Sequence, residues 1–342
     1  MRRRHPTSFL ATLLACILMP ATAAPYPNTG SFGVPFSKDE DWYRQCLRVE
    51  NQSAPAPAAT PPADCDASDL YYRKRGQAVT SQAEWDGVRA SAVAHGDHAI
   101  LMMLYANGFG VPRNADIAIR HACQVDAAKA EMAGRIAHLA AGVPANAVFD
   151  QCDDITSGRM GAVCASLRQA QDQRVRGARL ERLAATLPAP ARAAFQRLQA
   201  AAARYAAAAG AETDMQGTAA PSFAIAREER MREQFMQAVL DAAAGRLPAA
   251  SSQDAAARDR ELNDVYRTLM AAPSPQQDWP DRLGDTTIER KDVRAAERAW
   301  IAYRDAFAAF AAQLQAGADA NAVNALLTRQ RIAALQAFAR TL

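Results

Sequence analysis

Segments in which Val, Ile and Thr alternate with polar residues, as a half-buried β-strand requires, are nearly absent from this chain. Half of the residues are hydrophobic, and alanine dominates that half. Alanine has the highest intrinsic helix propensity, and runs such as "AAAARYAAAAG" favour helices that pack closely. The sequence therefore predicts an all-α fold.

The motifs of the common enzyme classes are missing as well. The chain has no G-x-S-x-G, no H-E-x-x-H, no phosphate-binding glycine loop and no dinucleotide fingerprint. The "HGDH" at 95–98 has H-x-x-H spacing but contains a glycine, and His121 and Cys123 would lie on different helix faces. Asp153 and Asp154 are adjacent, whereas the carboxylates of a calcium loop alternate. We predict no enzyme, no cofactor and no metal, with a histidine-held zinc and a calcium loop as the alternatives.

A long apolar run is also lacking at the N-terminus. The basic start "MRRRH" precedes an apolar stretch from Phe9 to Met19, which is too short to span a membrane. This pattern predicts a signal peptide over 1–23, cleaved after Ala23, and a periplasmic or secreted protein. The alternative is a lipoprotein anchored through Cys16, because "LLAC" resembles a lipobox. Loss of the leader arginines brings the formal charge from +3 to zero, which argues against nucleic acid as a partner.

Cysteines are few, and none forms a C-x-x-C motif. Five remain after the predicted cleavage, and export would allow them to form disulfides. Because short loops are the easiest to close, we predict the pairs Cys46–Cys65 and Cys152–Cys164, with Cys123 as a free thiol. Other pairings stay open.

The region before residue 69 is rich in Pro and Ala. We interpret 24–68 as a Pro/Ala-rich, loop-like segment, in which the part between Cys46 and Cys65 cannot build a core, and 69–177 as a helical region. Helix starts are predicted at Ser81, in the capping box "SQAE", and at Asp97 and Asn114.

The stretch "LMMLYANGFGVPRNADIAIRHAC" resembles one Sel-like repeat, a helix pair related to tetratricopeptide units. Gly108 would end the first helix, Gly110 would give a tight loop, and Pro112 would prevent the helix from continuing. Stable solenoids need about three repeats or more, so an isolated pair would have to dock on its neighbours. The other residues that carry the match are Leu104, Tyr105, Val111, Ala118 and Ile119.

The last part of the chain, 178–342, is predicted to form a helical bundle. Three phrases, "ELNDVYRTLM", "VRAAERAWIAYRDAFAAF" and "LLTRQRIAALQAF", together resemble the lysozyme-inhibitor LprI-like family of bacterial envelope modules. Two cysteines common in that family are replaced, at 307–308 and 323–325. The matching residues are Leu262, Asn263, Tyr266, Arg294, Ala295, Arg298, Trp300, Tyr303, Arg304, Asp305, Leu327, Thr328, Arg329 and Arg331.

The central phrase also has a physical interpretation of its own. Trp300, Tyr303, Phe307 and Phe310 fall on one face of a helix, which predicts a core stripe. Matching stripes run from Leu262 to Leu269 and from Leu327 to Leu335. Arg304 and Asp305 should diverge on the helix, so each needs a partner elsewhere, and Asn263 is the predicted partner of Arg304.

The resemblance implies binding to another envelope or extracellular protein, with inhibition of lysozyme as the particular activity. The loop from Gln276 to Asp285 is the predicted contact, because it is polar and carries one large aromatic residue. The alternatives are an envelope scaffold or assembly factor that uses the Sel-like helices and a hydrolase accessory to cell-wall turnover. We assign partner contact to Trp279, Arg304 and Asp305, and structural roles to Asn263, Tyr266, Trp300, Tyr303, Thr328 and Arg331.

Overall fold

The computed structural model describes residues 25–62, 66–314 and 319–342. These residues form helices and no β-strand, apart from an isolated bridge between Arg282 and Glu289, which confirms the all-α prediction. The predicted signal peptide, Cys16 and Cys65 lie outside the described residues. The twelve described helices are α1 Asp41–Val49, α2 Ala67–Arg75, α3 Gln82–His95, α4 His98–Asn107, α5 Ala115–Ala122, α6 Lys129–Ala141, α7 Gly158–Thr186, α8 Ala189–Gly210, α9 Ala220–Ala243, α10 Ser252–Met270, α11 Arg290–Ala311 and α12 Ala320–Ala339.

The predicted helix starts in the first half of the chain are confirmed. Ser81 and Glu84 form a reciprocal capping box on α3, and the side chains of Asp97 and Asn114 cap α4 and α5. Gly108 ends α4 in the left-handed region with φ of 74°. These contacts explain the helix pair locally, while its assignment to the Sel-like family stays a prediction.

The prediction of a loop-like segment over 24–68 is wrong for residues 41–49. They form α1, which packs against α5 and α6. Trp42, Cys46 and Val49 of this helix are buried in the first hydrophobic core, which α1 to α6 share. The helix is strongly amphipathic, so its apolar face can pack into this core, whereas the Pro-rich segment that follows it cannot.

One of the two predicted disulfides is confirmed and the other is wrong. Cys152 is bonded to Cys164, as predicted. Cys46 is bonded to Cys123, which is therefore not a free thiol. Because α1 packs on α5, Cys46 lies beside the residue that caps the end of α5, although 77 positions separate the two cysteines.

Helix α7 joins the two halves of the molecule. It is 29 residues long, and the predicted boundary between 177 and 178 falls within it. Its C-terminal half contributes Leu180 to a second core. Around that core α7 packs on α9, α8 packs on α9 and α11, and α12 packs on α10 and α11.

The aromatic residues of α11 form the centre of the second core. Trp300 is 2% exposed, and Tyr303, Phe307 and Phe310 are also buried. Tyr303 stacks on Tyr205 of α8, with ring centroids 5.6 Å apart. The predicted stripes of α10 and α12 face the same core, so the interpretation of this segment as a core helix is confirmed.

Candidate partner-contact surface

The connection between α10 and α11 presents the predicted contact residue to solvent. Trp279 in this segment, residues 271–289, is 51% exposed. The Arg282 guanidinium lies over its ring, 4.3 Å from the centroid. Such a cation–π contact restricts the orientation of an otherwise mobile side chain. We call this segment the Trp279 loop.

Arg290, the first residue of α11, fastens the Trp279 loop. Its Nε donates to the Met270 carbonyl at 3.0 Å and its Nη2 to the Ala272 carbonyl at 2.5 Å. Its Nη1 donates to the carbonyls of Pro280 at 2.8 Å and Arg282 at 3.1 Å. One guanidinium therefore bonds the start of the loop to its middle, on both sides of Trp279.

Apolar anchors fix the second half of the same loop. Leu283 and Ile288 are buried, and the Leu283 amide donates to the Ile288 carbonyl at 3.0 Å. The Thr286 hydroxyl, also buried, donates to the Leu283 carbonyl at 2.7 Å. Because Leu283 and Ile288 belong to the second core, this half of the loop is anchored in the bundle.

A second segment, residues 211–219 between α8 and α9, is bonded to the first. We call it the Met215 loop. The Thr287 amide and hydroxyl both donate to Asp214 Oδ1 at 3.0 Å, and the Met215 amide donates to the Thr287 hydroxyl at 2.6 Å. Gln216 Nε2 donates to the Asp285 carbonyl at 2.7 Å. The two loops are therefore one connected surface at this end of the bundle.

A buried ion network underlies the Met215 loop. Arg331 on α12 is 0% exposed, and its Nη1 and Nη2 donate to the two Glu212 carboxylate oxygens at 2.9 and 2.7 Å. Arg227 also donates to Glu212, at 2.7 Å, and Arg331 Nε donates to Glu297 at 2.9 Å. Burial opposes the charge of Arg331, but these carboxylates outweigh it and raise its pKa above the usual range. The network fixes the Met215 loop to α12 and α11.

The structure separates the other predicted contact residues from Trp279. Arg304 lies 14 residues beyond Arg290, which is about 21 Å along α11. The prediction that Arg304 pairs with Asn263 is wrong. Asn263 donates instead to the Asp259 carbonyl of its own helix, at 2.8 Å.

Arg304 has three other neighbours. It lies 3.5 Å from Asp259 and 5.1 Å from the centroid of the Trp300 ring. It also lies 3.4 Å from Asp305, so the prediction that these two side chains cannot meet is wrong. A long guanidinium side chain can bend back to the next residue, which the helical angle between Cβ atoms does not reveal.

Two of the predicted structural residues differ from Arg331 in their surroundings. Thr328 is buried, and its hydroxyl has no hydrogen-bond partner among the described residues. Tyr266 is half buried, and burial together with Glu297 raises the pKa of its phenol. Their structural roles stay predictions.

Sequence reasoning missed Glu212, Asp214 and Met215. The phrase "GAETDMQGTAAPS" is recognisable as a helix break through its Gly and Pro, but nothing local marks a carboxylate that binds a residue 119 positions away. Arg290 was also missed. An arginine at the start of a helix opposes the helix dipole, and that unfavourable position is the one signal that could have marked it.

Among the described residues, no helix is long and apolar enough to cross a bilayer. The fold and the paired loops therefore define an all-helical protein whose candidate site is a contact surface at one end of a bundle. Residues 240–335 match the model of the family described as lysozyme inhibitor LprI. That match covers α10, α11 and the Trp279 loop, but not the Met215 loop. No curated protein and no solved structure matches the chain.

Proposed function

We propose that this protein binds another protein of the bacterial envelope through the Trp279 loop, and that it inhibits a lysozyme in doing so. The observation that carries the proposal is a half-exposed tryptophan on a fastened loop, within the segment that matches the lysozyme inhibitor model. Tryptophan and arginine are the residue types most enriched in binding hot spots. Trp279 and Arg282 are therefore the expected anchors.

The rigidity of the loop supports the same function. A contact loop that is ordered before binding loses less conformational entropy in the complex. Lysozymes cleave with two carboxylates in a cleft, so an inhibitor has to occupy that cleft. A projecting indole ring, with a guanidinium behind it that can meet a carboxylate, suits this task.

We further propose that the protein is periplasmic or secreted. Two disulfides support an oxidising compartment, and they agree with the signal peptide predicted over 1–23. Anchoring through Cys16 is the alternative. Mass spectrometry of the mature N-terminus distinguishes the two, because cleavage after Ala23 leaves an unmodified Ala24 and the alternative leaves an acylated Cys16.

We also propose that the protein acts by binding and not as an enzyme. The family match is to inhibitors, and the exposed groups of the Trp279 loop suit contact. Lysis of bacterial cells by lysozyme, followed with and without the purified protein, tests the proposed function. We expect the wild type to slow lysis, and Trp279→Ala to weaken both binding and inhibition at least tenfold.

The matched control is Val175→Ala on α7. Val175 is 56% exposed. Helix α7 begins at Gly158, which lies against Thr218 of the Met215 loop, and Val175 is about 25 Å further along the helix. Equal inhibition by Trp279→Ala and Val175→Ala would show that the Trp279 loop is not the contact. Lysis at the full rate with saturating wild type would exclude lysozyme inhibition itself.

The scaffold alternative uses the Sel-like helices as its contact surface, and a groove between α1 and α6, the two helices that pack on α5, lies next to that pair. It has a volume of about 520 Å³ and is lined by Trp42, Gln45, Ala133 and Ile136, among others. An exposed, largely apolar groove of this kind can receive a partner segment. Ala133→Arg would block it, so loss of an envelope partner in that variant, with binding retained by Trp279→Ala, would favour the scaffold role.

A further inference from the structure

Exposed apolar side chains lie on three segments that contact one another at this end of the bundle. Met215 is 50% exposed on the Met215 loop, and its amide is bonded to Thr287 of the Trp279 loop, on which Trp279 is 51% exposed. Leu342, 37% exposed, lies against the Trp279 loop, because a Cβ placed on Gly284 would be 3.1 Å from Leu342 Cβ. Exposed apolar side chains on neighbouring segments are typical of an interaction site.

Three aspartates lie on the same loop as Trp279. Asp278, Asp281 and Asp285 are all exposed. Arg282 is the one cation within the two loops, which lie wholly in the described residues, and it is half buried against the Trp279 ring. At the edge of the loop, Glu289 pairs with Lys291 at 2.6 Å, so this pair adds no net charge. The exposed charge of the two loops is therefore negative.

Hydrogen bonds connect the acidic and apolar groups across the two loops. Gln216 donates to the Asp285 carbonyl at 2.7 Å, and Gln276 donates to the Asp285 carboxylate at 2.6 Å. Arg282 donates to the Gln276 side chain at 3.0 Å and lies over Trp279. A continuous chain of contacts thus runs from the Met215 loop to Trp279, which orders the surface before any partner arrives.

We propose that the two loops together form one docking surface for a protein whose contact face is basic around an apolar pocket. This inference rests on the proposed function and deepens it by naming the chemistry of the partner. It also places part of the binding surface, the Met215 loop, outside the segment that matches the lysozyme inhibitor model. The matched segment alone is then an incomplete binding unit.

Charge complementarity acts mainly on the rate of association. Opposite charges around an interface steer the encounter, and they can raise the association rate constant by orders of magnitude at low salt. The effect decreases as salt shortens the Debye length. Met215 and Trp279 would instead act on dissociation, since they become buried only after docking. The two kinds of residue therefore have separable kinetic signatures.

The experiment measures binding of the full-length protein to an immobilised lysozyme, chosen for its net positive charge, between 50 and 500 mM salt. The acidic variant carries Asp278→Asn, Asp281→Asn and Asp285→Asn, which preserve side-chain shape. Its control removes three exposed carboxylates elsewhere, with Asp39→Asn, Asp172→Asn and Glu181→Gln. We expect association to slow about tenfold in the acidic variant at low salt, with little remaining salt dependence, and to be unchanged in the control.

Met215→Ala should speed dissociation about fivefold to tenfold, and Val175→Ala should not.

If wild type binds and Trp279→Ala weakens binding, but the acidic variant and Met215→Ala behave as their controls, the inference is wrong and the proposed function stands. If wild type does not bind this lysozyme, inhibition of that enzyme fails. In that case the supporting result is a basic protein that is captured from an envelope extract, purified and shown to bind again. It must bind the control variant and must not bind the acidic variant. Capture of an acidic protein, or of none, overturns the inference.

Discussion

At the scale of single residues, Arg331 and Glu212 form an ion pair in the interior of the bundle. Both side chains are fully buried, and each satisfies the other through two hydrogen bonds. The outer members of the network, Arg227 and Glu297, keep about 15% of their side-chain surface exposed. The inner pair thus depends on its partners, whereas the outer charges can reach water.

This difference predicts an asymmetric response to mutation. Arg331→Met leaves Glu212 buried with only Arg227 and should lower the free energy of unfolding by about 3 to 5 kcal/mol. Adding Glu212→Leu removes the buried charge and should restore most of that loss. Chemical denaturation of the single and double variants measures this. A double variant no more stable than the single one would show that the pair does not act as a unit.

The pKa of His121 gives a second prediction. Burial, with His98 and Arg120 nearby, lowers this pKa to about 3 from an ordinary value of 6.5. Between these values the unfolded state binds a proton that the folded state does not, so stability falls as pH falls below about 6.5. From pH 7 to 5 the loss should be roughly 2 kcal/mol.

Replacing His121 tests the source of that pH dependence. His121→Phe keeps a ring between His98 and Tyr105 and removes the titrating group. Its free energy of unfolding should change less between pH 7 and 5 than that of the wild type. His98, whose pKa burial also lowers, contributes to the slope that remains. An unchanged slope in the variant would mean that His121 does not titrate in this way.

Residue-level contacts were predictable from sequence when both members lie within one helical turn. The Ser81 capping box and the Asp97 and Asn114 caps all join residues three positions apart. Glu212 and Arg331 are 119 positions apart, so no spacing rule connects them. Arg331 is recognisable through the family phrase, but its partner becomes visible only after the bundle has folded.

At the scale of elements, α11 determines the packing of the second core. Phe195 and Phe310, on α8 and α11, have ring centroids 5.4 Å apart, and Tyr205 stacks on Tyr303. Trp300 lies on the same face, with Arg304 over its ring. The aromatic stripe of this one helix is therefore the main apolar contact between α8 and α11.

Removing one member of that stripe gives the third prediction. Trp300→Ala should lower the free energy of unfolding by roughly 3 to 5 kcal/mol, as large aromatic truncations in cores do. Trp279→Ala should change it little, because half of that ring is already in water. Denaturation curves of the two variants test this. A Trp300→Ala variant that unfolds like the wild type but loses its partner would make the stripe a recognition surface.

The pairing of elements explains the disulfide that sequence could not predict. Loop-closure entropy favours Cys46–Cys65, since the loop between them is short. The fold overrides that preference, because the packing of α1 against α5 places Cys46 next to Cys123. Cys152 and Cys164 needed no such contact, since Cys152 lies just before α7 and Cys164 lies near the start of that helix, 12 positions away. The rule that short loops close most easily therefore predicted the disulfide correctly only where no contact between distant helices offered another partner.

At the scale of the whole molecule, two cores share α7. The first holds α1 to α6 and the second holds the bundle from Leu180 onward. Ion pairs connect α7 to the first half, through Arg159 with Asp126 at 2.8 Å and Arg174 with Asp69 at 3.4 Å. Helix α7 also packs on α9, so it belongs structurally to both halves.

The family match, by contrast, is shorter than the bundle. It begins at residue 240, near the end of α9, and so excludes α8 with its contacts to α11. It also excludes Glu212, the buried partner of Arg331. A fragment of residues 240–342 would expose Tyr303 and Phe310 and leave the Arg331 charge without its main carboxylate.

We therefore expect the 240–342 fragment to show no cooperative unfolding transition and no dispersed amide spectrum. A fragment of residues 158–342 keeps α7, α8 and α9 and should unfold cooperatively. Cys164→Ser is included in it, because Cys152 is removed. Thermal melts followed by circular dichroism, with proton–nitrogen correlation spectra, compare the two fragments at equal concentration. Cooperative melting of the short fragment would mean that α10, α11 and α12 form a core of their own. The contacts of α11 with α8 would then be an addition to that core and not its foundation.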